Sequence, residues 1–255
     1  MKSFLAACSI LIMASSVSAQ DVLILGEIHD NPRHHDVQAE RVEAFAPAAI
    51  VFEMLTPDQA RMVTPDNRAD PAALAEALDW ATSGWPDFAM YHPIFMAAPD
   101  ARVYGAQIPR HVARDAFETG VEQAFGGDAA LYGLADPLPD EEQQAREAMQ
   151  MAAHCDALPA DMLPGMVQIQ RLRDAELARA VVEAVAETGG PVAVITGNGH
   201  ARRDWGVPVY LEKAAPGLEL HVIGQTEDDA TLNGVFDEVV SAPPVDRPDP
   251  CAAFK

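Results

Sequence analysis

The chain is poor in cysteine, in aromatic residues and in positive charge. It has 3 cysteines, 6% aromatic residues, and 17 Lys and Arg against 39 Asp and Glu, which gives a formal net charge of −22. An excess of negative charge of this size repels nucleic acids and anionic membrane surfaces. The composition therefore excludes nucleic acid as a partner.

Long hydrophobic runs are also lacking, apart from one at the N-terminus. The run FLAACSILIMASS follows Met1, Lys2 and Ser3 and is followed by VSA, with small residues at Val17 and Ala19. A basic start, an apolar middle and this ending predict a signal peptide over residues 1–19. The run is too short for a membrane span. We therefore expect a secreted or periplasmic protein, and we do not expect a lipid anchor because almost no apolar segment precedes Cys8.

Two cysteines, Cys155 and Cys251, remain after removal of this segment. Export into an oxidising compartment favours a disulfide between them. The bridge would attach the Pro-rich C-terminal segment to the end of a helix that finishes at His154. The C-terminal segment could not be held by its own packing.

Linkers rich in Gly and Ser and internal repeats are absent too, so residues 20–255 are predicted to form a single domain. Apolar runs of strand length alternate with helical patterns. They lie at Val22–Leu25, Ile50–Phe52, Arg102–Tyr104, Val192–Ile195, Val207–Leu211, His221–Ile223 and, more weakly, Val235–Val240. Helices are predicted from Asn31 to Phe45, after Asp70, from Asp140 towards His154, and from Pro164 to Gly189. This order predicts an α/β fold, a three-layer α/β/α domain with a largely parallel central sheet.

Polar residues follow the predicted strands, at the end of a parallel sheet where ligands bind. Glu27 and His29 come after the first strand and Glu53 after the second. Arg110 comes after the third strand and His200 after the fourth. We therefore expect these five side chains to lie in one cleft. One of the neighbouring His34 and His35 is expected to line it, and the other to face water.

The long predicted helix carries polar residues on its apolar face. Gln170 and Asp174 lie four residues apart on that face, with Arg173 at its edge. Burying an amide and a carboxylate costs several kcal/mol unless both are paired. These residues form either an internal polar network or a support for the site, and the sequence leaves both possibilities open.

Two kinds of chemistry suit the predicted cleft. Glu27, His29, Glu53 and His200 are residue types that bind a divalent metal ion, and they also suit an acid–base cluster. The sequence has no His-Glu-x-x-His helix, no Gly-x-Ser-x-Gly turn and no phosphate-binding loop of the Walker type. These motifs therefore identify none of the common hydrolase classes.

Several segments together resemble the ChaN-like haem-binding family. It belongs to the superfamily that also contains the Tiki/TraB proteins and is related to the erythromycin esterases. The resemblance extends from about Val22 to about Ile223 and is carried by ILGEIHDNPRHH, VFEML, YGAQIPR, HCDALPADMLPGMVQIQRLRDAELA and ITGNGHARRDWGVPVYL. It implies a three-layer α/β/α domain in a secreted or lipid-anchored bacterial protein, with haem binding linked to iron acquisition. The Tiki branch implies metal-dependent peptide hydrolysis, with motifs such as Gly26–His29 and Gly197–His200.

The resemblance leads to a main prediction and two alternatives. The main prediction is a periplasmic haem-binding protein of iron supply that works with a haem receptor or transporter and could form a homodimer. No Cys-x-x-Cys-His motif is present, so the haem would be bound non-covalently. Its iron ligand would be His, Tyr or Met, and cations would hold its propionates. The candidates for haem binding are His29, His200, Tyr91, Arg110 and Met166, with further cations at Arg202 and Arg203. The alternatives are a metal-dependent hydrolase that uses the Glu/His cluster, and a non-catalytic relative in which the cluster is structural.

Overall fold

Six parallel strands form the centre of the computed structural model, which describes residues 20–249, 251 and 252. The strands are β1 (Val22–Leu25), β2 (Ala49–Phe52), β3 (Arg102–Gly105), β4 (Val192–Ile195), β5 (Leu220–Glu227) and β6 (Glu238–Ala242). Their order in the sheet is β3-β2-β4-β1-β5-β6, and every neighbouring pair is parallel. The predicted signal peptide, residues 1–19, lies outside the described residues.

Helices connect the strands and cover both faces of the sheet. They are α1 (Pro32–Phe45), α2 (Pro57–Arg61), α3 (Pro65–Arg68), α4 (Pro71–Ala77), α5 (Trp80–Ser83), α6 (Phe88–Ala97), α7 (Arg110–Thr119), α8 (Val121–Ala124), α9 (Asp140–Ala153), α10 (Leu163–Thr188), α11 (Asn198–Ala201) and α12 (Val207–Ala214), with a 3₁₀ turn at Ala160–Met162. Asn31 caps α1 and Asp70 caps α4 through their side chains, as the sequence predicts. Among the described residues, no helix is long and apolar enough to span a membrane.

Alternating strand residues supply two separate cores. Val22 and Ile24 of β1 face the layer formed by α7, α8, α10 and α12. Leu23 and Leu25 face the opposite layer, which contains α1, α4, α5 and α6. Side chains of a strand point alternately to its two faces, so apolar residues throughout β1 require a helical layer on each side. The predicted three-layer α/β/α fold is confirmed, and its sheet is entirely parallel.

One predicted strand is wrong. Val207–Leu211 forms the first part of helix α12 rather than a strand. Pro208 lies in the first turn, where its missing N–H is not needed. A run of five apolar residues does not by itself distinguish a buried strand from a buried helical turn. The last strand, expected at Val235–Val240, is shifted along the chain to Glu238–Ala242.

The C-terminal segment is attached at two points. A disulfide joins Cys155 to Cys251, with Cα atoms 5.5 Å apart. Upstream of Cys251, the Arg247 guanidinium donates to both carboxylate oxygens of Asp30 and of Glu227, at 2.6 to 2.8 Å. The segment therefore holds the loop after β1, which contains Glu27, His29 and Asp30.

Candidate functional site

The loops after β1, β2 and β4 meet at one end of the sheet because these strands are neighbours. Backbone hydrogen bonds join the loops. The Glu53 N–H donates to the Ile195 carbonyl at 3.0 Å, and the Asn198 N–H donates to the Glu27 carbonyl at 3.0 Å. Beside them opens a cleft of about 330 Å³ that is lined by His29, Glu53, Arg110 and His200. Four of the five expected side chains thus line one cleft.

The fifth expected residue, Glu27, lies behind His29 and is almost fully buried. Its carboxylate accepts hydrogen bonds from His29 Nδ1 at 2.7 Å and from the Tyr91 hydroxyl at 2.9 Å. Burial alone would raise the pKa of Glu27, but the hydrogen bond from His29 and the close contact with His35 outweigh burial and lower the pKa to about 2. Glu27 is therefore an anion that fixes the orientation of the His29 ring.

His35 completes this buried network. Its Nε2 faces the His29 carbonyl at 2.9 Å, and its Nδ1 faces the second Glu27 oxygen at 3.3 Å and the Gln38 amide oxygen at 3.2 Å. All these neighbours are acceptors, so the ring is satisfied only as an imidazolium. Burial lowers the pKa of His35, but the Glu27 carboxylate reverses this and leaves it raised.

His34, by contrast, is neutral and structural. Its Nδ1 accepts from the Ile28 N–H at 2.9 Å, and its Nε2 donates to the Thr226 carbonyl at 3.2 Å. Burial lowers the pKa of His34. Both His34 and His35 have no exposed surface. The expectation that one of them lines the cleft and the other faces water is therefore wrong, because the first turn of α1 packs onto the loop after β1.

A second histidine–carboxylate pair lies on the other side of the cleft. His200 Nδ1 donates to Asp174 at 2.6 Å, and His200 Nε2 lies 3.5 Å from Glu53. Burial lowers the pKa of His200, but the charges of Glu53 and Asp174 outweigh it and raise the pKa to about 9. Burial raises the pKa of Asp174. With a carboxylate at each ring nitrogen, His200 is an imidazolium with no free lone pair.

Glu53 remains ionised between the two imidazoles. It accepts hydrogen bonds from the Thr196 hydroxyl at 2.7 Å and from the Gly197 N–H at 2.8 Å. Burial would raise the pKa of Glu53, but the neighbouring His200 and His29 hold it below its ordinary value. His29 differs from His200 in one respect. Its Nε2 makes no hydrogen bond to the described residues, and 37% of its side-chain surface is exposed.

The cleft also contains two unpaired cations, Arg110 and Arg173. Among the described residues, neither of them makes a hydrogen bond or an ion pair, whereas every other described arginine has a carboxylate or carbonyl partner. Arg202 and Arg203, which the sequence also suggested, are bound to Asp204 and Asp237 and do not line the cleft. The free positive charge of the cleft therefore comes from α7 and α10.

The walls of the cleft are partly apolar. Trp85, Ile108 and Leu177 contribute to them, and the Trp85 ring meets the His29 ring edge to face at 4.9 Å. The Trp85 indole N–H and the Gln170 side-chain oxygen are buried and have no hydrogen-bond partner among the described residues. Buried polar atoms are rarely unpaired, so both positions suit the polar atoms of a ligand or water.

Some predicted site residues lie elsewhere. Tyr91 is fully buried and does not line the cleft, because its hydroxyl is bound to Glu27. Met166 is half-buried and does not line the cleft either. The sequence left open whether Gln170 and Asp174 form an internal polar network or support the site. Asp174 supports the site, because it accepts a hydrogen bond from His200. The Gln170 side-chain oxygen has no hydrogen-bond partner among the described residues.

The alternative of a divalent-metal site at Glu27, His29, Glu53 and His200 is not supported. In residues 20–249, 251 and 252, no group of three or more His, Cys, Asp or Glu side chains is arranged to hold a metal ion. The reason is that the carboxylates of Glu27 and Glu53 face the imidazoles of His29 and His200 directly, at 2.7 and 3.5 Å, which leaves no space for a metal ion between them.

Sequence reasoning missed Trp85 and Thr196, and it did not foresee that His35 is buried against Glu27. Trp85 lies in the segment SGWPD between α5 and α6, where a Trp beside Gly and Pro in a short loop is a signal that could have been used. The roles of His35 and Thr196 follow only from their contacts with Glu27 and Glu53.

Comparison with known proteins identifies a family and several structures of similar fold. The sequence matches the family described as haem-binding uptake, Tiki superfamily, ChaN, over residues 13–211. The structure is similar to one titled "Cofacial heme binding to ChaN of Campylobacter jejuni", with a TM-score of 0.63, 19% identity and 85% of each chain covered.

A second similar structure, that of the type III effector HopBA1, has a TM-score of 0.47, 11% identity and 88% of each chain covered. No curated protein matches the sequence.

Proposed function

Because this chain belongs to the ChaN family of haem-binding uptake proteins in the Tiki superfamily, we propose that it binds haem non-covalently in the cleft lined by His29 and His200. When bound, haem would supply an iron that accepts an imidazole nitrogen, an apolar ring, and two propionates. Each of these three features has a matching group in the cleft.

The free Nε2 of His29 carries the proposal. Its Nδ1 donates to Glu27 at 2.7 Å, which fixes the ring and leaves Nε2 as the nitrogen that can bind a ligand. A carboxylate behind a metal-binding imidazole commonly plays this part. Burial lowers the pKa of His29, but Glu27 and Glu53 outweigh burial and leave the pKa raised, so the iron would bind Nε2 in place of a proton. His200 lacks such an open nitrogen because both its nitrogens face carboxylates. We therefore assign the iron to His29, and we assign His200 to the electrostatic environment of the cleft.

The remainder of the cleft suits the rest of haem. Trp85, Ile108 and Leu177 provide apolar contact, and the unpaired Arg110 and Arg173 provide charge for the propionates. The volume of about 330 Å³ is at the lower end of small-molecule sites. Part of the porphyrin ring would therefore stay exposed. Cofacial haem binding, in which two haem faces meet, is described for ChaN of Campylobacter jejuni, whose fold is similar. We include in the proposal a homodimer in which two exposed haem faces meet.

The deciding experiment is a haemin titration followed by absorption in the Soret region. We expect saturable binding to the wild-type protein, a loss of affinity on the order of a hundredfold in His29→Ala, and less than about tenfold in His200→Ala. His111→Ala is the matched control, since His111 is exposed on α7 and does not line the cleft. A wild-type protein that shows no saturable change would refute haem binding. Equal affinities of His29→Ala and wild type would refute the iron ligand.

A role in iron uptake, with a haem receptor or transporter as partner and a secreted or periplasmic location, belongs to the same proposal. The signal peptide predicted at residues 1–19 supports the location. Expression of the full chain in a bacterium, followed by mass spectrometry, tests it. We expect a periplasmic species that begins at Gln20, and an uncleaved cytoplasmic species would contradict the expectation.

A further inference from the structure

Gly197 lies in direct contact with the imidazole of His29. A Cβ atom placed on Gly197 would lie 3.0 Å from His29 Nε2 and 3.1 Å from His29 Cε1, and 3.8 Å from a Glu53 oxygen. These distances are tighter than nine in ten contacts of real Cβ atoms, so one of the two groups would have to shift by a few tenths of an ångström. The absence of a side chain at Gly197 thus leaves the space in which the His29 ring lies.

The backbone conformation of Gly197 does not itself demand glycine. Its φ of −66° and ψ of 152° lie in the extended region that any residue can adopt. Space for a neighbour is therefore the reason for glycine here, rather than a left-handed backbone.

The turn that contains Gly197 cannot retreat from the ring. The Gly197 N–H donates to Glu53 at 2.8 Å, and the Asn198 N–H donates to the Glu27 carbonyl at 3.0 Å. The Asn198 side chain also exchanges two hydrogen bonds with the Gln225 backbone of β5, at 2.8 and 2.9 Å. His29, by comparison, is held at Nδ1 and has a partly exposed ring. The ring would be the group that moves.

We infer that Gly197 is a positioning residue for His29, and that its missing side chain keeps Nε2 of His29 facing the cleft beside Glu53. This inference rests on the proposed function, because the orientation matters only if Nε2 binds a ligand. It explains one glycine of the Gly-Asn-Gly-His segment and leaves Gly199 without that role. No atom lies within 4 Å of a Cβ placed on Gly199.

The test compares Gly197→Ala with the matched control Gly199→Ala. In the haem-free proteins, ¹⁵N NMR of the histidine rings reports the tautomer and environment of His29. We expect the His29 signals to change in Gly197→Ala and to stay at the wild-type positions in Gly199→Ala. Haem affinity should fall about tenfold in the first variant and be unchanged in the second. Wild-type His29 signals in Gly197→Ala would overturn the inference.

A double-mutant cycle with His29→Ala covers the case in which Gly197→Ala folds poorly. If the only obstacle is the His29 ring, the loss of melting temperature caused by Gly197→Ala disappears when His29 is also Ala. A loss that persists in the double variant overturns the inference. A wild-type protein that binds no haem refutes the proposed function alone, because the NMR signals and the cycle are measured without haem.

Discussion

The two histidine–carboxylate pairs of the cleft look alike in sequence and differ in structure. His29 and His200 each end a Gly-x-x-His segment after a parallel strand, and each donates Nδ1–H to a buried carboxylate, Glu27 or Asp174. They differ at Nε2. That of His200 lies 3.5 Å from Glu53, whereas that of His29 has no hydrogen bond in the described part of the chain.

This difference teaches that a carboxylate behind a histidine does not define its role. The pair orients the ring in both cases, and the environment of the second nitrogen decides whether that nitrogen is held by a second carboxylate or is open to a ligand. Experiments that separate the pairs are therefore the most informative ones for this protein.

The largest expected effect is on the free energy of unfolding. Glu27→Gln removes the anion that orients His29 and compensates the buried His35, so we expect a loss of about 3–5 kcal/mol. Asp174→Asn leaves His200 next to Glu53, and we expect a loss of about 1.5–3 kcal/mol. Urea unfolding of both variants measures the difference. Equal losses would show that the network around Glu27 is no more coupled than the Asp174 pair.

The pH dependence of stability should separate the pairs next. The pKa of Glu27 falls from its ordinary 4.5 to about 2, so its contribution is complete above pH 4.5 and is lost as the pH falls towards 2. The pKa of His200 rises from 6.5 to about 9, so its contribution is complete below pH 6.5 and is lost as the pH rises through 9. Each contribution is on the order of 3 kcal/mol.

Unfolding measured from pH 2 to pH 10 tests both windows. The difference between wild type and Glu27→Gln should close at the acidic end, and that between wild type and His200→Gln at the alkaline end. Differences that stay constant across the range would mean that neither group titrates with folding.

A smaller effect is expected on haem affinity through the supporting carboxylates. Glu27→Gln should weaken haem binding ten- to a hundredfold, the range found for groups that orient a metal-binding histidine. Asp174→Asn should change it less than about threefold, because His200 is not the iron ligand. Soret titrations measure both affinities. A larger loss of haem affinity in Asp174→Asn than in Glu27→Gln would identify His200, rather than His29, as the iron ligand.

The smallest effect concerns the two unpaired arginines. Arg110→Ala and Arg173→Ala should each weaken haem binding about threefold, as for charge pairs near water, and the loss should shrink at high salt. Neither variant should lose stability, because neither side chain has a partner to leave unpaired. Arg114→Ala, on the same helix as Arg110 but paired with Asp115, is the control and should bind haem as the wild type does.

The sequence predicts the sheet better than it predicts the cleft. β1 and β4 lie at the predicted bounds, because each is a short apolar run beside strong turn residues. Glu53 and His200 could be placed because the end of a parallel sheet brings strand ends together. Val207–Leu211 could not be recognised as helical, since its five residues fit either element.

The partners of each side chain were beyond reach of the sequence. Tyr91 is distant in sequence from Glu27, and its contact depends on how α6 packs on α1. Arg173 replaces Arg202 and Arg203 as a cation of the cleft because the rotation of α10 directs it there. Such contacts depend on packing between layers, which local propensity and periodicity do not encode.

The strand order has a consequence for the time at which the cleft forms. β1, which begins at residue 22, pairs only with β4 and β5, which begin at residues 192 and 220. β2 and β3 pair with each other and are close in sequence. Closing long chain segments costs entropy and slows folding. During synthesis, β1 therefore has no strand to pair with until most of the chain has been made. We expect the loop that carries Glu27 and His29 to be among the last parts of the protein to become ordered.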